Sequence, residues 1–96
     1  MDKKIATILL DGFVRQLRTT PYKDLCGLLR NPQCKEVSGP DGKPYQVEWE
    51  AFWDDPREQG GALRVIVSID DGTFFASLSP FSTSFILTPD GTFVGE

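Results

Sequence analysis

Two stretches of alternating residues constrain this chain more than any other feature of its sequence. In YQVEWEAFW one side of an extended chain would carry Tyr45, Val47, Trp49, Ala51 and Trp53. In LRVIVSI the same holds for Leu63, Val65, Val67 and Ile69. Because successive side chains of a β-strand point to opposite faces, both stretches are predicted to be strands with one buried face.

Short turn motifs separate the alternating stretches. GPDGK at positions 39–43 and TPDGT at 88–92 both place Pro, Asp and Gly in succession. Pro presets φ, Asp bonds back to the turn and Gly takes the left-handed conformation, so each motif is predicted to join two antiparallel strands. Asp71-Gly72 is a further turn motif, typical of a two-residue hairpin loop.

The Asp71-Gly72 motif predicts a register for the strand that follows it. A two-residue loop there would pair the residues of the two strands as Asp70 with Thr73, Ile69 with Phe74, Val67 with Ala76, and Val65 with Leu78. The apolar pairs would then share one face, which is the condition for burying it. The serine-rich SLSPFSTS at 77–84 is interpreted as a polar crossover between strands.

The N-terminal third has helical spacing instead. Residues 3–18 form a predicted amphipathic helix with Asp2 as N-cap and an inward face of Ile5, Ile8, Leu9, Phe13 and Leu17. A second, shorter helix is predicted over 21–30, with Tyr22, Leu25, Leu28 and Leu29 inward. The expected fold is one α+β domain over 1–96, helical at 3–30 and a sheet at 34–95. One or two helices would pack on a four- to six-stranded antiparallel meander.

Charge and apolar patterning bound the possible partners. Ten Lys and Arg against fourteen Asp and Glu make the chain acidic, with a net charge of −4. The basic residues are scattered, whereas a nucleic-acid site needs clustered cations, so no nucleic-acid partner is expected. No segment is long enough to span a bilayer and the apolar run before Asp11 is too short for a secretory signal. The protein is expected to be cytoplasmic.

The chain contains no His, and its two cysteines are Cys26 and Cys34. A structural zinc site takes about four N or S ligands, so no metal is expected. The cysteines are interpreted as reduced small hydrophobic residues, with one disulfide as the alternative for an exported chain. No phosphate-binding or dinucleotide motif is present, and no cofactor is expected.

Two acid pairs, Asp54-Asp55 and Asp70-Asp71, raise the question of catalysis. If Trp53 pairs with Leu63, the acid pairs lie at opposite ends of one strand, about 20–25 Å apart at about 3.3 Å per residue. Two carboxylates that share acid–base work lie about 5–10 Å apart. The acid pairs are therefore interpreted as turn and link residues, and no catalytic residue is predicted.

The outward strand face is the first candidate site. The predicted register sets Phe52 opposite Arg64, Glu50 opposite Ile66 and Ser77, and Glu48 opposite Ser68 and Phe75. Apolar side chains rimmed by charges are typical of a protein interface, although scattered surface hydrophobes would also explain them. The candidate interface residues are Phe52, Arg64, Ile66, Phe75, Glu48 and Glu50, with Glu50 within ion-pairing reach of Arg64.

The leading functional hypothesis is a non-catalytic protein-interaction module. Such a module would be a homo-oligomer or an adaptor, inhibitor or immunity-type partner of another protein. The alternative is a small-molecule carrier that uses a helix–sheet cleft around Trp49 and Trp53, although packing of both against Phe13 and Leu17 is the favoured interpretation. An enzyme is the third possibility.

Overall fold

A computed structural model describes residues 2–71 and 81–95. Helix α1 spans Lys3–Arg18, α2 spans Tyr22–Leu25, and a 3₁₀ turn follows at Cys26–Leu29. The described strands are β1 (Gln33–Ser38), β2 (Pro44–Trp53), β3 (Leu63–Asp70) and β4 (Phe81–Leu87). They form one antiparallel sheet in the order β1-β2-β3-β4, with the helices on one face. The predicted α+β fold is confirmed.

Helix α1 has the predicted bounds and cap. The Asp2 carboxylate accepts hydrogen bonds from the backbone N–H groups of Lys4 at 2.9 Å and Ile5 at 3.3 Å. The predicted inward face is wrong at Ile8, whose side chain is 65% exposed, because Ala6 and Leu10 are the residues that the helix buries. At 100° per residue, Ile8 lies nearly opposite Ala6 and Leu10 around the helix. Burial of those two residues therefore turns Ile8 towards solvent, although its side chain is apolar.

The predicted second helix is two short pieces. Helix α2 has four residues and passes directly into the 3₁₀ turn. Leu25 of α2 and Leu28 of the turn are buried. The Tyr22 hydroxyl donates a 2.7 Å hydrogen bond to the carbonyl oxygen of Gly61. This bond attaches α2 to the link between β2 and β3, so a sequence-distant contact holds the short helix in place.

The pairing of β2 with β3 agrees with the predicted register. Trp53 lies opposite Leu63, and Phe52 lies opposite Arg64. Val47, Val65, Val67 and Ile69 are fully buried on the helix-facing side, which is called the inner face from here on. Because both strands alternate strictly, a one-residue slip would move one strand's part of this set to the outer face.

The predicted partner of β3 is wrong. Ile69, Val67 and Val65 pair with Phe81, Thr83 and Phe85, and not with Phe74, Ala76 and Leu78. The predicted partners and Gly72 lie outside the described residues. Residues 81–84, predicted as a polar crossover, belong to β4. Both segments alternate in the sequence, and the structure places Phe85 and Leu87 of β4 in the core, with 6% and 3% exposure.

Both PDG turns adopt the predicted conformation. Gly42 has a φ of 77° and Gly91 a φ of 88°, which is the left-handed region that favours glycine. The first turn joins β1 to β2. The second returns the chain to β4, where Phe93 pairs with Leu87 and the N–H of Val94 donates to the carbonyl of Ile86 at 2.9 Å.

A tyrosine anchors the first of these turns. Tyr45 is 1% exposed, and its hydroxyl donates a 2.9 Å hydrogen bond to the Asp41 carboxylate. The other Asp41 oxygen accepts from the N–H of Lys43 at 3.2 Å. Gly39 packs so close to the Tyr45 ring that a Cβ at this position would lie 2.6 Å from its Cε2 atom. The absence of a side chain at Gly39 is therefore a condition for burying Tyr45.

Replacing Gly39 by Ala tests this close approach. Gly39→Ala is expected to lower the free energy of unfolding by about 1–3 kcal/mol, since the buried ring has no room to move. The matched control is Gly12→Ala in α1, where an added Cβ meets nothing within 4 Å. The control should raise the free energy of unfolding by about 0.5–1 kcal/mol. Urea denaturation measures both, and equal effects would contradict the packing argument.

The ionisation of Tyr45 gives a second test. Burial, and then the hydrogen bond to Asp41, raises the pKa of Tyr45 to about 12, above its usual value of 10.0. The neutral phenol is thus favoured by folding, so its stabilising effect is complete below pH 10.0 and is lost as the pH rises towards about 12.

Tyr45→Phe is expected to be less stable than the wild type at neutral pH, because it lacks the bond to Asp41. The difference in free energy of unfolding should shrink as the pH rises from about 10 to about 12. Urea denaturation of both proteins across this range measures it. A difference that stays constant would contradict the role assigned to the hydroxyl. Tyr22, whose pKa is also raised by burial, is present in both proteins and cancels in the comparison.

Candidate functional site

The side of the sheet that faces away from the helices is called the outer face. Cross-strand pairing arranges it in rows, because directly paired residues point to the same side. One row contains Phe52, Arg64 and Ile86, and the next contains Glu50, Ile66 and Ser84. A third row contains Cys34, Glu48, Ser68 and Ser82. The outer face therefore mixes apolar, acidic and small hydroxyl side chains.

Phe52, Ile66 and Ile86 form an apolar strip across β2, β3 and β4. Ile66 lies diagonal to both of the others, and diagonal neighbours on a sheet are about 7–8 Å apart. Phe52 is 51% exposed, while Ile66 and Ile86 are half-buried. No described helix packs on this strip, since the described helices contact the inner-face core. The strip is thus apolar area that the described fold does not use.

Acidic groups lie on one side of the strip, with Glu50 in the row of Ile66, Glu48 in the next row, and Glu36 and Asp70 one row further. Glu36, Glu48, Glu50 and Asp70 all point to the outer face. Arg64 is the one described cation there, and its guanidinium binds the Asp54 carboxylate at 2.9 Å. The ion pair suggested for Arg64 was with Glu50, whereas the structure pairs it with Asp54. Since Arg64 is matched by Asp54, the carboxylates of Glu48 and Glu50 give the part of the outer face beside the strip a negative charge.

The structure brings together most of the predicted interface residues. Phe52, Arg64, Ile66, Glu48 and Glu50 occupy adjacent rows of the outer face. Phe75 lies outside the described residues. The β4 residue opposite Ser68 is Ser82, and the one opposite Ile66 is Ser84, where Phe75 and Ser77 were predicted.

Ile86 is the outer-face residue that the sequence reasoning missed. The signal was present in the stretch FSTSFIL. There Phe85 and Leu87 alternate inward, which places the residue between them on the opposite side.

The acid pairs do not meet. Asp54 follows the β2 end at which Trp53 pairs with Leu63, and Asp70 lies at the other end of β3, about 23 Å away at about 3.3 Å per residue. Asp55 binds Arg57 at 3.1 Å, and this hydrogen-bonded contact lowers the pKa of the Asp55 carboxyl. Within residues 2–71 and 81–95, no group of three His, Cys, Asp or Glu side chains is placed to hold a metal ion.

The two tryptophans lie in different surroundings on the inner face. Trp53 packs against the cluster that contains Leu25, Leu28 and Leu63. Trp49 borders an open cleft of about 230 Å³ between α1 and the sheet, lined by Phe13, Gln16, Leu17, Thr20, Lys35 and Trp49. Both tryptophans are partly buried and pack against that cluster, but the cleft predicted for both is lined by Trp49 and not by Trp53.

The described elements define an α+β domain with helices on one face of a four-stranded antiparallel meander. Comparison with protein-family models, with curated proteins and with solved structures finds no match to this chain. Over the described ranges, no helix is both long enough and apolar enough to cross a membrane.

Proposed function

We propose that this chain is a non-catalytic protein-interaction module whose outer face binds another protein. The observation that carries the proposal is the apolar strip of Phe52, Ile66 and Ile86, because a half-exposed aromatic ring on the outer face of the sheet adds nothing to the described core. Aromatic side chains at the centre of an interface supply most of its binding free energy. Full burial of one such side chain is worth about 1.5–3 kcal/mol.

Charge selects the kind of partner. A two-fold dimer through the outer face would oppose the same patch on both copies, and so bring Glu48 and Glu50 near the same residues of the second copy. Like charges at an interface are unfavourable. A partner with an apolar surface bordered by Lys or Arg side chains complements both the strip and the carboxylates beside it.

The remaining chemistry of the chain supports a binding role over a catalytic one. Asp54 and Asp55 are each occupied by an arginine, and the two acid pairs are separated by the length of β3. The sequence contains no His, which is the most frequent general base near neutral pH. The outer face offers shape and charge, which are what recognition of a protein surface requires.

Phe52→Asp tests the proposal. The substitution should change the free energy of unfolding by no more than about 1 kcal/mol, because the ring is half-exposed. It should abolish retention of the partner when the immobilised protein is mixed with a lysate, since a charge would replace the central anchor. The matched control is Ile8→Asp, which alters another exposed apolar side chain on α1. Partners should be retained by the control as strongly as by the wild type.

The charge complementarity has its own readout in the same experiment. Retention of the partner should weaken with added salt, because salt screens the carboxylates beside the strip. It should be lost in Glu48→Lys, because this substitution reverses one of those charges. Three outcomes would overturn the proposal: Phe52→Asp retains the same proteins as the wild type, Ile8→Asp loses them as completely as Phe52→Asp does, or the wild type retains no protein at all. A native mass spectrum at twice 10.7 kDa that reverts to the monomer in Phe52→Asp would replace the heterotypic partner with a second copy.

A further inference from the structure

We propose that the cleft beside Trp49 is a binding site for a small organic carboxylate that carries one flat apolar ring. The cleft lies on the inner side of the sheet, between the second half of α1 and strands β1 and β2. It shares no lining residue with the apolar strip of the outer face. The proposal is therefore independent of the protein-binding role, and either can fail without the other.

Aromatic and aliphatic side chains form the apolar part of the cleft. The rings of Phe13 and Trp49 have centroids 5.4 Å apart and are tilted by 39° to each other. Leu17, one turn further along α1, completes this wall. Trp49 is only half-buried, so part of its indole remains available to a ligand. Two non-parallel rings beside an aliphatic side chain favour a flat apolar group, which can pack on one ring and meet the edge of the other.

The cleft lining also contains polar and cationic side chains. Lys35 pairs with Val47 across β1 and β2, which places its side chain on the inner face. Its neighbours in the lining are Gln16 and Thr20, and no carboxylate is among the described lining residues. The salt bridges of the described residues do not include Lys35. A carboxylate is the complement of this arrangement, because it accepts hydrogen bonds from both an ammonium group and a side-chain amide.

The end of α1 is arranged so that it does not repel an anion. The last carbonyl groups of a helix carry partial negative charge, which would disfavour a carboxylate nearby. Here the Gln16 carbonyl accepts from the backbone N–H and hydroxyl of Thr19, and the Leu17 carbonyl accepts from the N–H of Thr20. Arg15 and Arg18 also lie in the last turn of α1. The Arg18 guanidinium lies over the Phe93 ring, 4.0 Å from its centre. Together with these hydrogen bonds, the two arginines offset part of the negative end of the helix, and neither arginine lines the cleft.

The volume of this open cleft matches a ligand with one ring. About 230 Å³ holds roughly eight water molecules at about 30 Å³ each. Pockets for drug-sized molecules are larger, at about 300–1,000 Å³. A single aromatic ring with a short carboxylate arm matches both the size of the cleft and its combination of apolar and cationic side chains.

Phenylacetate and its uncharged analogue phenylacetamide are the probes for this site. Isothermal titration calorimetry should detect saturable binding of phenylacetate with a dissociation constant of about a millimolar, as expected for so small a ligand. Phenylacetamide should bind about three- to tenfold more weakly, because it presents no charge to Lys35. In Trp53→Phe protein, where Trp49 is the remaining tryptophan, phenylacetate should change the fluorescence over the same concentration range.

Lys35→Gln identifies the cationic group. The exposed side chain stays polar, is shortened by one atom and loses its charge, so the fold should be unaffected, while phenylacetate affinity should fall about three- to tenfold. Phenylacetamide affinity should not change. The matched control is Lys23→Gln, an exposed lysine of α2 that does not line the cleft, and it should bind phenylacetate as the wild type does.

Three results would overturn the proposal. The first is no saturable heat with phenylacetate at tens of millimolar, which is well above the expected dissociation constant of about a millimolar. The second is equal affinity for phenylacetate and phenylacetamide. The third is equal loss of affinity in Lys35→Gln and Lys23→Gln, which would indicate general charge attraction and no defined site.

Discussion

The pairing of β2 with β3 is the constraint on which the rest of the structure depends. Val47, Val65, Val67 and Ile69 reach zero exposure because both strands alternate strictly and their registers agree. This shared inner face gives α1 and the short helical segment a surface on which to pack. A one-residue slip would place the buried set in water and destroy the surface for the helices at the same time. Strand β1 pairs with β2, β4 pairs with β3, and the helices pack on the inner face of the pair.

The same pairing creates both candidate surfaces. Because alternate residues point to opposite sides, burial of the inner set projects Phe52, Glu48 and Glu50 outward in fixed rows. On the inner side, α1 packs against Val47, Val67 and Ile69 but leaves Gln33 and Lys35 of β1 exposed. The cleft beside Trp49 lies where the helix cover ends. The described helices pack on the inner face alone and cover it incompletely, so the outer strip and the inner cleft are both left exposed.

Local signals predicted the elements that depend on local physics. The bounds of α1 followed from helical spacing and the Asp2 cap, and the conformations of Gly42 and Gly91 followed from turn chemistry. Five of the six proposed interface residues occupy adjacent rows, since strand parity alone settles which side a residue takes. The pairing of Asp54 with Arg64 was not predicted, because it depends on how the chain bends after β2.

The sequence by itself determined the α1 helix, both PDG turns, and strands β2 and β3 with the inward face of each, because period and turn residues act over a few neighbours. Tertiary structure decided which later segment pairs with β3, because two segments after Asp71 alternate in the sequence and alternation alone does not rank them. It also decided that Ile8 faces water and that Trp49, but not Trp53, borders the cleft. These outcomes depend on where separate elements come to lie, and a pattern within one element carries no information about its neighbour.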